Sequence, residues 1–320
     1  MRRVVGYVLL GLGAFMLVLA PLLRFYAAPR LAKAPLDQYS ITVSRAPNAT
    51  FLDIGKLEIR KGETLTATRT VRGDVPSSSD DVSVYDVFLK IEDPNNVLVT
   101  ATTDRVAFDR HTTEAVHCCN ENLNGKPTRH EGIEYKFPFG AEKKTYQYFD
   151  TSLAKATDMV YKGTVTLEGL TVYRYEQRIE PTQIAELDVP GSLIGSTAPA
   201  VKAGRFYSNT RTVWVEPTTG VIVKGQEKQF STLRDDSGTD KLTITEATLT
   251  FTPKTVREQA DKAKDGKRSL DLIKTTVPFI LLVLGLVLVL LGLGLALSGG
   301  PAPERGQHEA ETGPRAPART

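Results

Sequence analysis

Thr64-Leu65-Thr66-Ala67-Thr68-Arg69-Thr70-Val71 places threonine at every second position, with mostly apolar residues between. A period of two in β-branched residues marks a strand with one covered face and one wet face. The same beat runs through part of Val82-Ser83-Val84-Tyr85-Asp86-Val87-Phe88-Leu89. It appears again in Leu242-Thr243-Ile244-Thr245, continuing to Leu249-Thr250-Phe251 after a one-residue slip. Residues 97–108, 161–167, 170–178, 210–215 and 221–230 are expected to add further strands. Asp93-Pro94-Asn95-Asn96, Glu168-Gly169 and Pro217-Thr218-Thr219-Gly220 separate consecutive strands at hairpin distance. Connections this short join antiparallel neighbours. The fold class is therefore expected to be mainly β: an antiparallel β ectodomain, sandwich or curved half-barrel, between N- and C-terminal transmembrane helices. Helix is expected only at 153–159 and 254–265, the second with Glu258 and Lys262 four residues apart. Asp74–Asp81 reads as a loop.

Two stretches outside the β region have another character. Val4–Leu23 holds 16 apolar residues in 20, and Val277–Leu297 holds 17 in 21, neither with a charge. Each is long enough as a helix to cross a hydrocarbon core of about 30 Å. They exclude a wholly soluble protein, and the polar remainder excludes a bundle made only of membrane helices. Met1-Arg2-Arg3 before the first run, and Arg24-Phe25-Tyr26 after it, suggest a signal anchor with an interfacial belt. Gly285, Gly292 and Gly294 lack the four-residue spacing of a strong helix-dimer face and read as ordinary span glycines.

The expected organisation is a signal-anchor helix over 1–24, an extracytoplasmic β domain over 25–252 and a charged juxtamembrane helix over 253–274. A second span over 275–297 and a disordered tail over 298–320 complete it. The expected location is the plasma membrane, two-pass, with the middle domain outside and both termini cytoplasmic. Lysine and arginine before the second span oppose that orientation, but domains of this length cross largely regardless of charge.

A net charge of +3 from 40 basic and 37 acidic residues gives no reason to expect a nucleic-acid partner. No Gly-x-Ser-x-Gly elbow and no phosphate-binding glycine loop occurs, and His111, His117 and His130 are the only histidines between the spans. The chain is thus not expected to be an enzyme, and no cofactor is expected. The only cysteines are the neighbours Cys118 and Cys119. A vicinal disulfide, two unpaired thiols, or metal binding with the three histidines all remain open; no metal site is assigned.

Aromatic residues concentrate at Tyr135-Lys136-Phe137-Pro138-Phe139-Gly140 and Tyr146-Gln147-Tyr148-Phe149-Asp150. Such a concentration either fills a core or walls an apolar ligand site. The candidate ligand wall is Phe137, Phe139, Tyr146, Tyr148 and Phe149, joined by Trp214, the only tryptophan.

Phe137-Pro138-Phe139-Gly140, Thr145–Asp150, Gly169–Tyr175 and Thr212–Gly220, enclosed by two terminal spans, resemble the actinobacterial porin PorA-like family of unknown function. The resemblance covers nearly the whole chain and implies an envelope protein with an extracytoplasmic β domain; it brings no catalytic residues. A transmembrane β-barrel is disfavoured, because the strands carry threonine and charge where an apolar outer band is needed. The leading expectation is a non-enzymatic envelope protein whose β domain binds or passes an apolar envelope lipid. The alternative is a structural or sensing scaffold that binds an envelope protein partner or cell-wall polymer, with porin or channel activity ranked lower. Membrane lipid surrounds the spans in each case.

Overall fold

The computed structural model describes residues 2–298. All of the expected tail except Ser298 lies outside the described residues. The chain divides into a helical unit, made of the described parts of Met1–Pro29 and Leu272–Thr320, and a β unit, Arg30–Asp271.

In the helical unit, α1 (Arg2–Leu22) and α4 (Val277–Leu297) are antiparallel. π-helical turns follow α1 at Leu23–Ala27 and precede α4 at Leu272–Thr276, and the short α2 is Ala28–Leu31. The buried residues of α1 are Gly6, Gly13 and Ala20, and those of α4 are Pro278, Gly285 and Gly292. Both sets repeat every seven residues, so they form one narrow seam per helix. A β-carbon placed on Gly13 would lie 2.7 Å from the Gly285 carbonyl oxygen, and one on Gly292 would lie 2.8 Å from that of Gly6. Gly285 and Gly292 are therefore contact residues, not ordinary span glycines. Small residues let backbones approach where lipid offers no hydrophobic drive between helices. Gly294 meets nothing within 4 Å.

Twelve strands of the β unit form a single sheet. They are β1 (Tyr39–Asp53), β2 (Glu58–Gly73), β3 (Val82–Glu92), β4 (Leu98–Asp109), β5 (Asn122–Leu123) and β6 (Lys126–Pro127), then β7 (Tyr146–Asp150), β8 (Lys155–Leu167), β9 (Leu170–Pro190), β10 (Ala200–Glu216), β11 (Val221–Arg234) and β12 (Asp240–Phe251). Two meanders, β6 back to β1 and β12 back to β7, meet where β1 pairs with β12. Every strand pairing is antiparallel, as the short turns require.

The sheet is open in strand order, not a two-layer sandwich, yet single-residue bridges stitch its two ends. Phe108 of β4 bridges Ala115, Glu114 bridges Ile133, and Ile133 bridges Tyr148 of β7. The gap between the two ends of the sheet, from β4 to β7, is thus crossed by residues 110–145.

Sequence reasoning missed β1 because Ala46–Ala49 contains a register shift, with Asn48 at a φ of 58°, which breaks the two-residue beat. The helix expected at 153–159 is a turn and a strand. Asp150 Oδ1 accepts from the Ser152 and Leu153 amides, each at 3.0 Å, closing a tight turn. Thr157 and Met159 then pair with Tyr148 and Tyr146 of β7. The charged helix does form, as α3 (Pro253–Asp271). Its Val256, Ala260 and Ala263 are buried against Leu170, Val172 and Val223 of the sheet.

Candidate functional site

Two motifs singled out in the sequence dock on each other. The turn Pro217-Thr218-Thr219-Gly220 is held by Glu216, whose buried carboxylate accepts from the Thr218 amide at 3.1 Å and the Thr219 amide at 2.8 Å. Gly220 has a φ of 71°, and a β-carbon there would fall 1.9 Å from the Phe137 carbonyl oxygen. That close approach lets the Phe137 amide donate to the Gly220 carbonyl at 3.0 Å and the Ala141 amide to the Pro217 carbonyl at 2.8 Å. The Lys136 ammonium donates to the Thr219 carbonyl and sits 4.0 Å from the Phe139 ring centre. Burial, with the Lys262 charge nearby, lowers the Lys136 amine to about 7.

The six aromatic residues of the candidate wall do not share one site. Phe137, Tyr146 and Tyr148 lie in a filled core cluster with Ile133, Met159, Tyr175 and Val213. Phe137 is fully buried, 4.7 Å from the Tyr175 ring and 5.3 Å from Tyr146. Phe149, next to Tyr148 on a strand, points the other way and stacks 4.6 Å from the His130 ring. Phe139 and Tyr148 line a cavity described below. Trp214 packs with the cluster beneath α3, under the Lys224 ammonium at 4.6 Å.

Charge lies inside the sheet. The Arg211 guanidinium, 8% exposed, donates to Gln177 Oε1 at 2.6 Å and pairs with Asp150 at 3.0 Å and Glu227 at 3.2 Å. Arg69 approaches the same Glu227 carboxylate at 3.8 Å. Burial pushes the Glu227 carboxyl up, but the Arg211 and Arg69 charges outweigh it and hold it at about 2. Charges that are buried in this way persist only when paired. The sequence signal was Arg69 itself, a charge at an inward position of the alternating strand, set between Ala67 and Val71.

Three adjoining cavities of about 370, 50 and 20 Å³ open here, and Arg69 and Tyr148 line all three. The largest is bordered by Lys33, Arg69, Lys136 and Lys262 and by no carboxylate. Lys33 and Arg69 are paired outside this wall, with Asp81 at 3.0 Å and Glu227 at 3.8 Å.

The three histidines do not converge. His111 Nδ1 lies 3.0 Å from the Ala32 carbonyl, while His117 and His130 each contact one oxygen of Glu121, at 3.1 and 3.0 Å. Cys118 and Cys119 are joined as a vicinal disulfide, and the Cys119 carbonyl accepts from Arg105 Nε at 2.9 Å.

Comparison with known proteins gives the remaining facts. The Porin PorA family model matches residues 5–294, both apolar helices and the whole sheet. A protein named Porin PorA from Corynebacterium amycolatum is 29% identical, with 89% of this chain and 96% of that protein covered. Another Porin PorA, from Corynebacterium resistens, is also 29% identical, with 89% and 94% covered. These relatives overturn the leading expectation of a lipid-binding protein that is not a porin. The objection drawn from the strand faces concerns a β-barrel wall alone and does not bear on a pore made in another way. Two apolar helices and a match that spans them both make this a membrane protein, and the chain belongs to the Porin PorA family.

Proposed function

We propose that this chain is a non-enzymatic, channel-forming membrane protein whose pore needs more than one copy. The supporting observation is the glycine seam. α1 and α4 approach so closely at Gly13–Gly285 and Gly6–Gly292 that one helical pair encloses no lumen. The strands cannot supply the wall either, since their exposed faces carry threonine and charge. The outward faces of the helices, with Leu12, Phe15 and Val18 on α1 and Leu286 and Leu290 on α4, are exposed and apolar, and they are free for lipid or for further copies. The relatives' name, porin, supports the same activity.

In this reading both helices cross the plasma membrane, the first as an uncleaved signal anchor, with the β unit outside and both termini inside. Purified full-length chain added to a planar bilayer should give discrete conductance steps whose frequency rises as a power of protein concentration greater than one. Absence of steps above the detergent background would sink the channel reading. A strictly linear dependence would sink the multi-copy part.

A further inference from the structure

A second cluster of ionisable groups lines the smallest of those cavities, which Arg69 and Arg211 also line. Asp104 of β4, with His130 and Glu134 from the connection between β6 and β7, each bring one ligand atom within 4.8 Å of the others. His130 is 1% exposed and both of its ring nitrogens face carboxylates: Nδ1 lies 3.0 Å from Glu121 Oε2 and Nε2 lies 2.9 Å from Asp104 Oδ1. The Tyr135 hydroxyl donates to the other Asp104 oxygen at 2.5 Å. Glu134 Oε2 is buried and has no hydrogen-bond partner. A bare buried carboxylate oxygen is costly, by about 1–3 kcal/mol or more. Arg69 and Arg211 act on this carboxyl only through space, so its bare oxygen beside Asp104 and His130 is open to a further cation.

The chemistry of the ring points the same way. A proton on Nδ1 directed at Glu121 leaves the Nε2 lone pair facing Asp104 Oδ1. In that tautomer the two acceptors need a cation between them, whereas a proton on each ring nitrogen would satisfy both carboxylates. The 2.9 Å between His130 Nε2 and Asp104 Oδ1 suits two ligands on one ion with bonds of about 2.1 Å, and Glu134, within 4.8 Å, would close on the ion when it binds.

We propose that Asp104 Oδ1, His130 Nε2 and Glu134 Oε2 coordinate a divalent transition-metal ion, with Glu121 and Tyr135 orienting the ligands. One imidazole and two carboxylates suit zinc or manganese. The carboxylate behind the histidine is the usual outer partner of a metal-bound imidazole. Glu134 and His130 lie beside Ile133, whose bridge to Tyr148 of β7 helps join the two ends of the sheet, so the ion ties β4 to the segment that joins them. This site is independent of the channel reading.

The test uses full-length chain in detergent, purified through a tag without histidine. It is stripped with EDTA, dialysed against one equivalent of Zn²⁺, Mn²⁺ or Ca²⁺, and assayed by elemental analysis. The wild type should retain close to one zinc or manganese per chain and little calcium, with a rise in melting temperature. C118S/C119S should behave as the wild type, which separates the site from the thiols. H130Q and E134Q should fall below a tenth of an equivalent. If H130Q fails to fold, E134Q carries the test, because the altered oxygen has no protein partner. Retention below a tenth by folded wild type for all three ions would overturn the proposal and leave a proton as the shared cation. Equal retention by E134Q and wild type would overturn it too.

Discussion

Replacing Glu227 with glutamine tests the claim that charge inside the sheet is held by pairing. The substitution keeps the shape and, with its oxygen in the Oε2 place, the acceptor for the Gln229 amide 2.8 Å away; it removes the negative charge and turns an amide –NH2 toward Arg211 Nε, 3.2 Å from Oε1. Arg211 keeps Asp150 and Gln177, so the loss should fall at the low end of the 3–5 kcal/mol seen when a buried pair is broken. The carboxyl titrates at about 2 in the folded chain, against an ordinary value of 4.5. At about 1.4 kcal/mol per pH unit, that shift gives a contribution of about 3 kcal/mol at pH 7. The folded value is the lower one, so this stability is complete above about pH 4.5 and is lost as the pH falls toward 2. The assay is urea unfolding in detergent, followed by fluorescence of the single Trp214. Wild type and Glu227→Gln should differ by about 3 kcal/mol at pH 7 and converge to within about 1 kcal/mol near pH 2. A difference that stays constant across that range would refute the electrostatic account and assign the loss to packing. No difference at pH 7 would refute the role of the pair altogether.

Gly13→Leu should part α1 from α4, because its β-carbon already meets the Gly285 backbone, whereas Gly11→Leu meets nothing within 4 Å and should leave the pair intact. Spin labels at Phe15 and Leu286, in a cysteine-free background, would show a longer or broader distance for the first variant only. Gly220→Ala should cost well over the ~1 kcal/mol expected of Gly169→Ala. Both have positive φ, but only Gly220 faces a carbonyl oxygen, and paired urea titrations would show a similar loss for both if that contact were unimportant. Lys136→Met should stabilise the chain most below pH 7. The folded amine binds its proton more weakly than the unfolded one, so wild-type stability climbs between about pH 7 and the ordinary value of 10.5, and the advantage of the variant should vanish by the upper limit. A pH-independent difference would count against burial of the charged amine.

The candidate site was legible in parts and not as a whole. Phe137-Pro138-Phe139-Gly140 and Pro217-Thr218-Thr219-Gly220 were visible as motifs. Their contact, made by residues about 80 positions apart, was not, since local turn chemistry carries no address for a distant partner. The aromatic window was visible too, but alternation along β7 sends Tyr148 and Phe149 to opposite faces, and only the curl of the sheet decides what each face meets. The metal-ligand candidates Asp104 and Glu134 gave no signal, because scattered carboxylates are common and their spacing is unspecific.

By itself the sequence marked two runs long and apolar enough to cross a membrane, and it determined that most of the rest is antiparallel β, since a period of two with short turns allows little else. The tertiary structure alone decided that the first long strand pairs with the last, that the two ends of the sheet are bridged through residues 110–145, and that arginine and glutamate face each other inside. It also decided that glycines seven apart on two helices are one contact surface. The physical reason is common to all four: local periodicity fixes which residues share a face, but the partner of that face is chosen by packing and charge across distances the local pattern does not encode.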